Sequence, residues 1–107
     1  ILYSVYSAFR RVVMSLIMVD GHDNALVGLG QRLGKDGHEA FLIYDIAVVL
    51  DNLVQMGMEP DEAVEYFQFN IQGAYLGIHT PAFMSFSDAE EIRANIDQIQ
   101  ETLDSES

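Results

Sequence analysis

Cysteine is missing from the 107 residues, proline occurs only twice, and five Lys and Arg face seventeen Asp and Glu. Without cysteine there is no disulfide and no thiolate metal site, which fits a reducing compartment. The scarcity of cations excludes another class. A folded surface with a net charge of −12 repels phosphate backbones, so direct nucleic-acid binding is not expected. An uninterrupted membrane span is absent too. Ile1 to Val19 is mostly apolar, but Arg10 and Arg11 stand in its middle.

What is present suits a single compact domain. Half the residues are hydrophobic, enough for one core and too many for a disordered chain. The charge is divided unevenly. Residues 1–35 carry Arg10, Arg11, Arg32 and Lys35 against Asp20 and Asp23, a net of +2, so residues 36–107 carry the remaining fifteen carboxylates against Arg93, a net of −14. Such a surface keeps a small protein soluble. It also suits a basic protein partner, or a protein that normally grips DNA.

The sequence divides into an apolar, basic extension (1–14) and an α+β domain (15–107). Ser4 to Ser15 is free of acid and holds two arginines, like the composition of an organellar transit peptide, while Met14 has the makings of a start. Both readings stand. From Ser15 onward the elements are legible. Ser15–Val19 reads as a strand ending at Asp20-Gly21, Ala25–Arg32 as a second, and Glu39–Tyr44 as a third after the Gly34–Gly37 turn. Gly28 and Gly30 inside the second strand predict a bulge or a close approach by another group.

Asp45 then caps a helix whose inner face is Ile46, Val49, Leu50 and Leu53, closed by Gly57. Pro60 opens the next, with Asp61 and Glu62 complementing its dipole and Val64, Phe67, Ile71, Ala74 and Tyr75 as its inner face, up to Gly77. Ala82–Phe86 follows as a fourth strand. Ser87-Asp88-Ala89-Glu90 reads as a capping box, and Ile92, Ile96, Ile99 and Leu103 form a narrow stripe expected to pack on the sheet rather than on a second copy. The order β-β-β-α-α-β-α predicts a small, mainly antiparallel sheet of about four strands with three helices on one face.

Catalytic patterns fail on spacing. Gly28-Leu29-Gly30 would need a glycine at 33 for a dinucleotide fingerprint, where Leu33 stands, and Gly34-Lys35 is followed by Asp36 rather than Ser or Thr. Asp20, His22 and Asn24 alternate as metal ligands do, but a calcium loop's later glycine and terminal glutamate are missing. Turn-capping polar groups explain them. No nucleophile elbow occurs, and the reading leans away from an enzyme, with no cofactor and no metal.

The densest stretch runs from Glu62 to Phe83. Asn70 lies one turn from Phe67 and Ala74, beside the buried face, and its amide is expected to bond the Gly77–Pro81 backbone as a clamp. The alternative is a small pocket lined by Tyr66, Asn70, Tyr75 and His79.

The residues Tyr44-Asp45, Glu62-Ala63-Val64-Glu65-Tyr66-Phe67, Phe69-Asn70, Gly73-Ala74-Tyr75, Gly77 and Thr80-Pro81-Ala82-Phe83 resemble a group of small uncharacterised proteins of tailed bacteriophages and prophages, with the pattern YD…EEAxEYxxFNxxGAYxGxxTPxF. The likeness covers about 60 residues and departs at Ile78, where an acidic residue is usual. It implies a phage setting and the bacterial cytoplasm, and it carries no reaction. The expectation is therefore a non-enzymatic protein-binding module, acting as an inhibitor of a host factor, as a DNA mimic or as a homo-oligomer, with Asp61, Glu62 and Glu65 facing a basic partner. A small-ligand binder, a weak enzyme, or a minor virion component are the alternatives.

Overall fold

The computed structural model describes residues 9–12 and 16–105, with side chains from residue 16 onward. Met14 and most of the transit-like stretch lie outside the described residues. The chain is an α+β domain, with two small sheets among the described residues. Strand β1 (Phe9–Val12) pairs antiparallel with β2 (Leu16–Val19), Phe9 opposite Val19. Strands β3 (Leu26–Gly34) and β4 (Gly37–Asp45) form an antiparallel hairpin, and β5 (Ala82–Met84) adds to β4.

The hairpin follows its turn chemistry. Gly37 takes a φ of 120°, which a side chain would resist, and Gly34 pairs with it at the tip. Both reasons anticipated for glycine in β3 occur. The register shifts between Leu26 and Gly28, and a Cβ at Gly30 would overlap the Phe41 ring. Phe41 is then free to take the Arg32 guanidinium at 5.3 Å, while Arg32 also pairs with Glu39 at 2.9 Å.

Two expectations about the sheet change. β2 does not join the hairpin; it pairs with β1 instead. β5 runs parallel to β4, Ile43 opposite Ala82 and Tyr44 opposite Phe83, because the chain returns from α1 and α2 by a helical crossover rather than a tight turn. It also stops at Met84. Phe86, expected in the strand, is 64% exposed.

Helix α1 (Ile46–Gln55) starts as read, the Asp45 carboxylate accepting the Ala47 N–H at 3.0 Å. Val49 and Leu53 are buried one turn apart, and Gly57 follows with a φ of 110°. Helix α2 (Pro60–Tyr66) begins at Pro60, and Glu62 accepts the Glu59 N–H at 3.1 Å. It continues as a π-helical segment, Phe67–Gln72, closed by Gly73.

The inner face of α2 differs from the expected one. Ala63, Phe67 and Ile71 are buried, whereas Val64 and Tyr75 are exposed. A π turn holds more residues per turn than an α turn, so a strict 3.6-residue count drifts out of phase. The helix also ends before Ala74 and Tyr75. The core thus gathers Val19 of β2, Ala25, Tyr44 of β4, Val49 and Leu53 of α1, and Ala63, Phe67 and Ile71. Phe83 of β5 seals it, its ring edge-on to Phe67 at 5.2 Å and tilted against Tyr44 at 6.1 Å.

The C-terminal helix is two pieces, α3 (Ala89–Ala94) and α4 (Ile96–Ser105). Its cap is Asp88, which accepts the Glu91 N–H at 2.8 Å, with Ser87 bonding the Glu91 carboxylate; the expected Ser87–Glu90 box is therefore shifted by one residue. The break falls at Asn95, whose amide turns back to the Glu91 carbonyl at 2.8 Å. The expected packing on the sheet does not occur. Ile92, Ile96, Ile99 and Leu103 are 45%, 56%, 45% and 56% exposed.

Candidate functional site

The four pocket candidates, Tyr66, Asn70, Tyr75 and His79, come from the α2–β5 stretch. Tyr66 ends α2, half-buried and packed against the core, and Asn70 is half-buried in the π-helical segment. Tyr75 lies beyond Gly73 and is 75% exposed. His79, half-buried, places Nδ1 2.7 Å from the Ala40 carbonyl of β4. A carbonyl only accepts, so Nδ1 carries the proton in this contact.

Asn70 does not clamp the 77–81 loop. Its amide makes no hydrogen bond to a described residue. Thr80 does that work: its Oγ1 accepts the Leu76 N–H at 2.7 Å and donates to the Gly77 carbonyl at 2.7 Å, and its own N–H reaches the same carbonyl at 3.1 Å. With Gly77 at a φ of 106° and Pro81 buried behind it, the loop is held from within. Glycine at 73 serves the helix end, since a Cβ there would lie 2.6 Å from the Gln68 carbonyl oxygen.

The acidic candidates are on the outer side of α2. Asp61, Glu62 and Glu65 are exposed, as are Val64 and Phe69 of the same helical segment, Phe69 at 70%. Glu62 is spent on the Glu59 N–H at the helix start. Asp61 and Glu65 have no ion-pair partner among the described residues, where the one salt bridge is Arg32–Glu39. They meet solvent as open charge.

His22 and Asn24, expected as turn-capping polar groups, join Asn52 of α1 in a polar cluster under the Asp20–Ala25 turn. His22 is 4% exposed, and its Nδ1 sits 3.0 Å from the Asn52 amide nitrogen of α1. An amide nitrogen only donates, so Nδ1 is the acceptor and the neutral ring bears its proton on Nε2. Asn52 also exchanges a reciprocal pair of bonds with Asn24, at 2.7 and 3.0 Å. Burial pushes the His22 pKa below its ordinary value, the Asp20 carboxylate pulling weakly the other way. Asn52 escaped notice because nothing within its own turn of α1 marks it; its partners are 28 and 30 residues away.

His22, His38 and His79 occupy three separate places: the buried turn, the exposed start of β4 opposite Leu33, and the loop against Ala40. Among the described residues no three His, Asp or Glu side chains are grouped as a metal ion would need. Nor is any helix of the described residues long and apolar enough to cross a membrane. Compared with protein-family models, curated proteins and solved structures, the chain finds no match in any of the three.

Proposed function

We propose that this chain is a non-enzymatic protein-binding module whose partner is a basic, nucleic-acid-binding protein, in the phage-type setting that the Glu62–Phe83 pattern implies. The observation that carries it is the outer side of α2, where the open carboxylates of Asp61 and Glu65 stand beside exposed Val64 and Phe69. Apolar contact at the centre with unpaired charge around it is how a surface gains both affinity and long-range attraction. From residue 36 to residue 92 there is no Lys or Arg to dilute the field. A chain of this charge competes with DNA for a basic groove by presenting carboxylates where phosphates would lie.

The test is competition. A basic DNA-binding protein recovered with the chain from bacterial cells at low salt should release labelled DNA as the chain is titrated in. The Asp61→Lys/Glu65→Lys double variant should lose that effect by tenfold or more. Displacement unchanged by the charge reversal, or by raising the salt, sinks the proposal.

The second reading, a small-ligand binder or weak enzyme, has one observation in its favour: the half-buried Asn70 amide lacks a hydrogen-bonding partner among the described residues, near a helix ending at Gly73. Chemical-shift perturbation by a panel of nucleotides decides it. Shifts centred on Asn70, Tyr66 and His79 would favour this reading over the first.

A further inference from the structure

We infer that α3–α4 is a self-association surface, and that its occupant is the same helix pair of a second copy, running antiparallel. This goes beyond the partner-binding face on α2 and does not depend on it.

The spacing of Ile92, Ile96, Ile99 and Leu103 is 4-3-4, the seam by which one helix packs along another. A strand or an extended peptide would match a period of two instead. All four residues are roughly half-exposed, in a structure whose core is completed by other elements. A helix with an apolar seam and no buried residue is amphipathic toward something outside its own domain.

Charge selects the occupant. Residues 36–107 are so acidic that a basic partner is the first thought. Yet the positions beside the seam are Arg93, Asn95, Gln100 and Thr102, none of them acidic. At 3.6 residues per turn, Asp97, Glu101 and Asp104 lie roughly 130°, 170° and 110° round α4 from the centre of the stripe. Between Ile92 and Leu103 a basic partner helix would find no carboxylate flanking its apolar contacts, whereas an identical helix meets no like charge there. The flanks suit self-pairing.

Charge also selects the direction. Each copy is strongly negative, and a parallel pair would bring both acidic bodies to the same end of the helices. An antiparallel pair puts them at opposite ends, separated by more than the Debye length of about 8 Å at physiological ionic strength. In that arrangement the two-fold axis passes between Ile96 and Ile99, and Asn95 of one copy faces Thr102 of the other.

The area implies a weak dimer. The stripe together with Phe86, 64% exposed just before α3, offers on the order of 450 Å² of apolar surface per copy, below the roughly 800 Å² per partner of a standard stable interface. Association should therefore depend on concentration.

Sedimentation velocity of the full chain is the experiment. The weight-average mass should rise from the 12.0 kDa monomer toward twice that value as concentration increases from micromolar to near-millimolar. Higher salt should strengthen the dimer by screening the two acidic bodies, the opposite of its effect on an acid–base complex. Ile96→Asp and Ile99→Asp should each abolish the rise, while Ile99→Leu and the back-face Glu101→Gln keep it. Far-UV circular dichroism checks that the helix survives. Asn95→Cys and Thr102→Cys chains, mixed and oxidised, should cross-link to each other in preference to themselves. A monomer at every concentration, a dimer indifferent to both aspartates, or self-linked 95–95 products would each overturn the inference.

Discussion

The backbone N–H of Val19 donates a 3.0 Å hydrogen bond to the hydroxyl of Tyr44, and both residues are wholly buried. Val19 is the last residue of β2 and Tyr44 lies near the end of β4, 25 positions along the chain. These strands belong to different sheets, so the phenol carries a join that no strand ladder provides. Tyr44→Phe should keep the packing against Phe83 and leave the Val19 N–H without its acceptor. A loss of roughly 1–3 kcal/mol is expected, read from chemical denaturation; an unchanged midpoint would show that the bond contributes nothing.

His22 makes stability depend on pH. Its pKa is lowered in the folded state by burial, so the unfolded chain binds its proton first. The contribution is complete above the unfolded value near 6.5, and it is lost as pH falls from there through the folded value. Protonation would also set an N–H against the Asn52 amide donor. Denaturation midpoints at pH 7.5 and 5.5 should separate in the wild type. In His22→Asn, whose side-chain oxygen supplies an acceptor without titrating, the separation should shrink.

The Asn24–Asn52 pair is reciprocal in hydrogen bonds and unequal in energy. Asn24 is exposed and can turn to water, whereas Asn52 alone supplies the donor to buried His22. Asn52→Ala should cost about 1–3 kcal/mol and Asn24→Ala well under about 1. Equal losses by thermal denaturation would contradict this picture of the cluster.

Thr80→Val keeps the shape of the side chain and removes its hydroxyl. The Leu76 N–H then loses its acceptor and the Gly77 carbonyl one of its two donors. About 1–2 kcal/mol of destabilisation is expected, with faster amide exchange at Leu76 and Thr80 and little change in α1. Asn70→Ala in the same assay should leave exchange in the 77–81 loop unchanged.

Gly73→Ala tests the π-helical ending of α2. The added methyl would meet the Gln68 carbonyl oxygen at 2.6 Å, and backbone yields less readily than a side chain. The usual gain of up to about 1 kcal/mol from replacing glycine should therefore be reversed. Stabilisation of the variant would show that the π turn relaxes freely.

Local features were legible because their partners lie within a few residues. Asp45 caps α1 through Ala47, Gly37 turns the hairpin, and Pro60 opens α2, each readable from a short window. The inner face of α1 followed from spacing for the same reason. On α2 spacing misplaces the inner face, since a π turn changes the period without a distinctive residue to announce it. Thr80 rather than Asn70 holds the loop because a hydroxyl three and four residues from its targets needs no reorientation of a helix to reach them.

By itself, then, the chain's order of residues determined the α+β composition, the hairpin, the starts of α1 and α2 and the lopsided charge. Tertiary structure decided that β5 runs parallel, that Tyr44 reaches Val19, that Asn52 meets His22, and that the isoleucines of α3–α4 face outward. The physical reason is range. Turn and cap preferences are set by neighbours in the chain, whereas these pairings depend on which distant surfaces bury the most apolar area together.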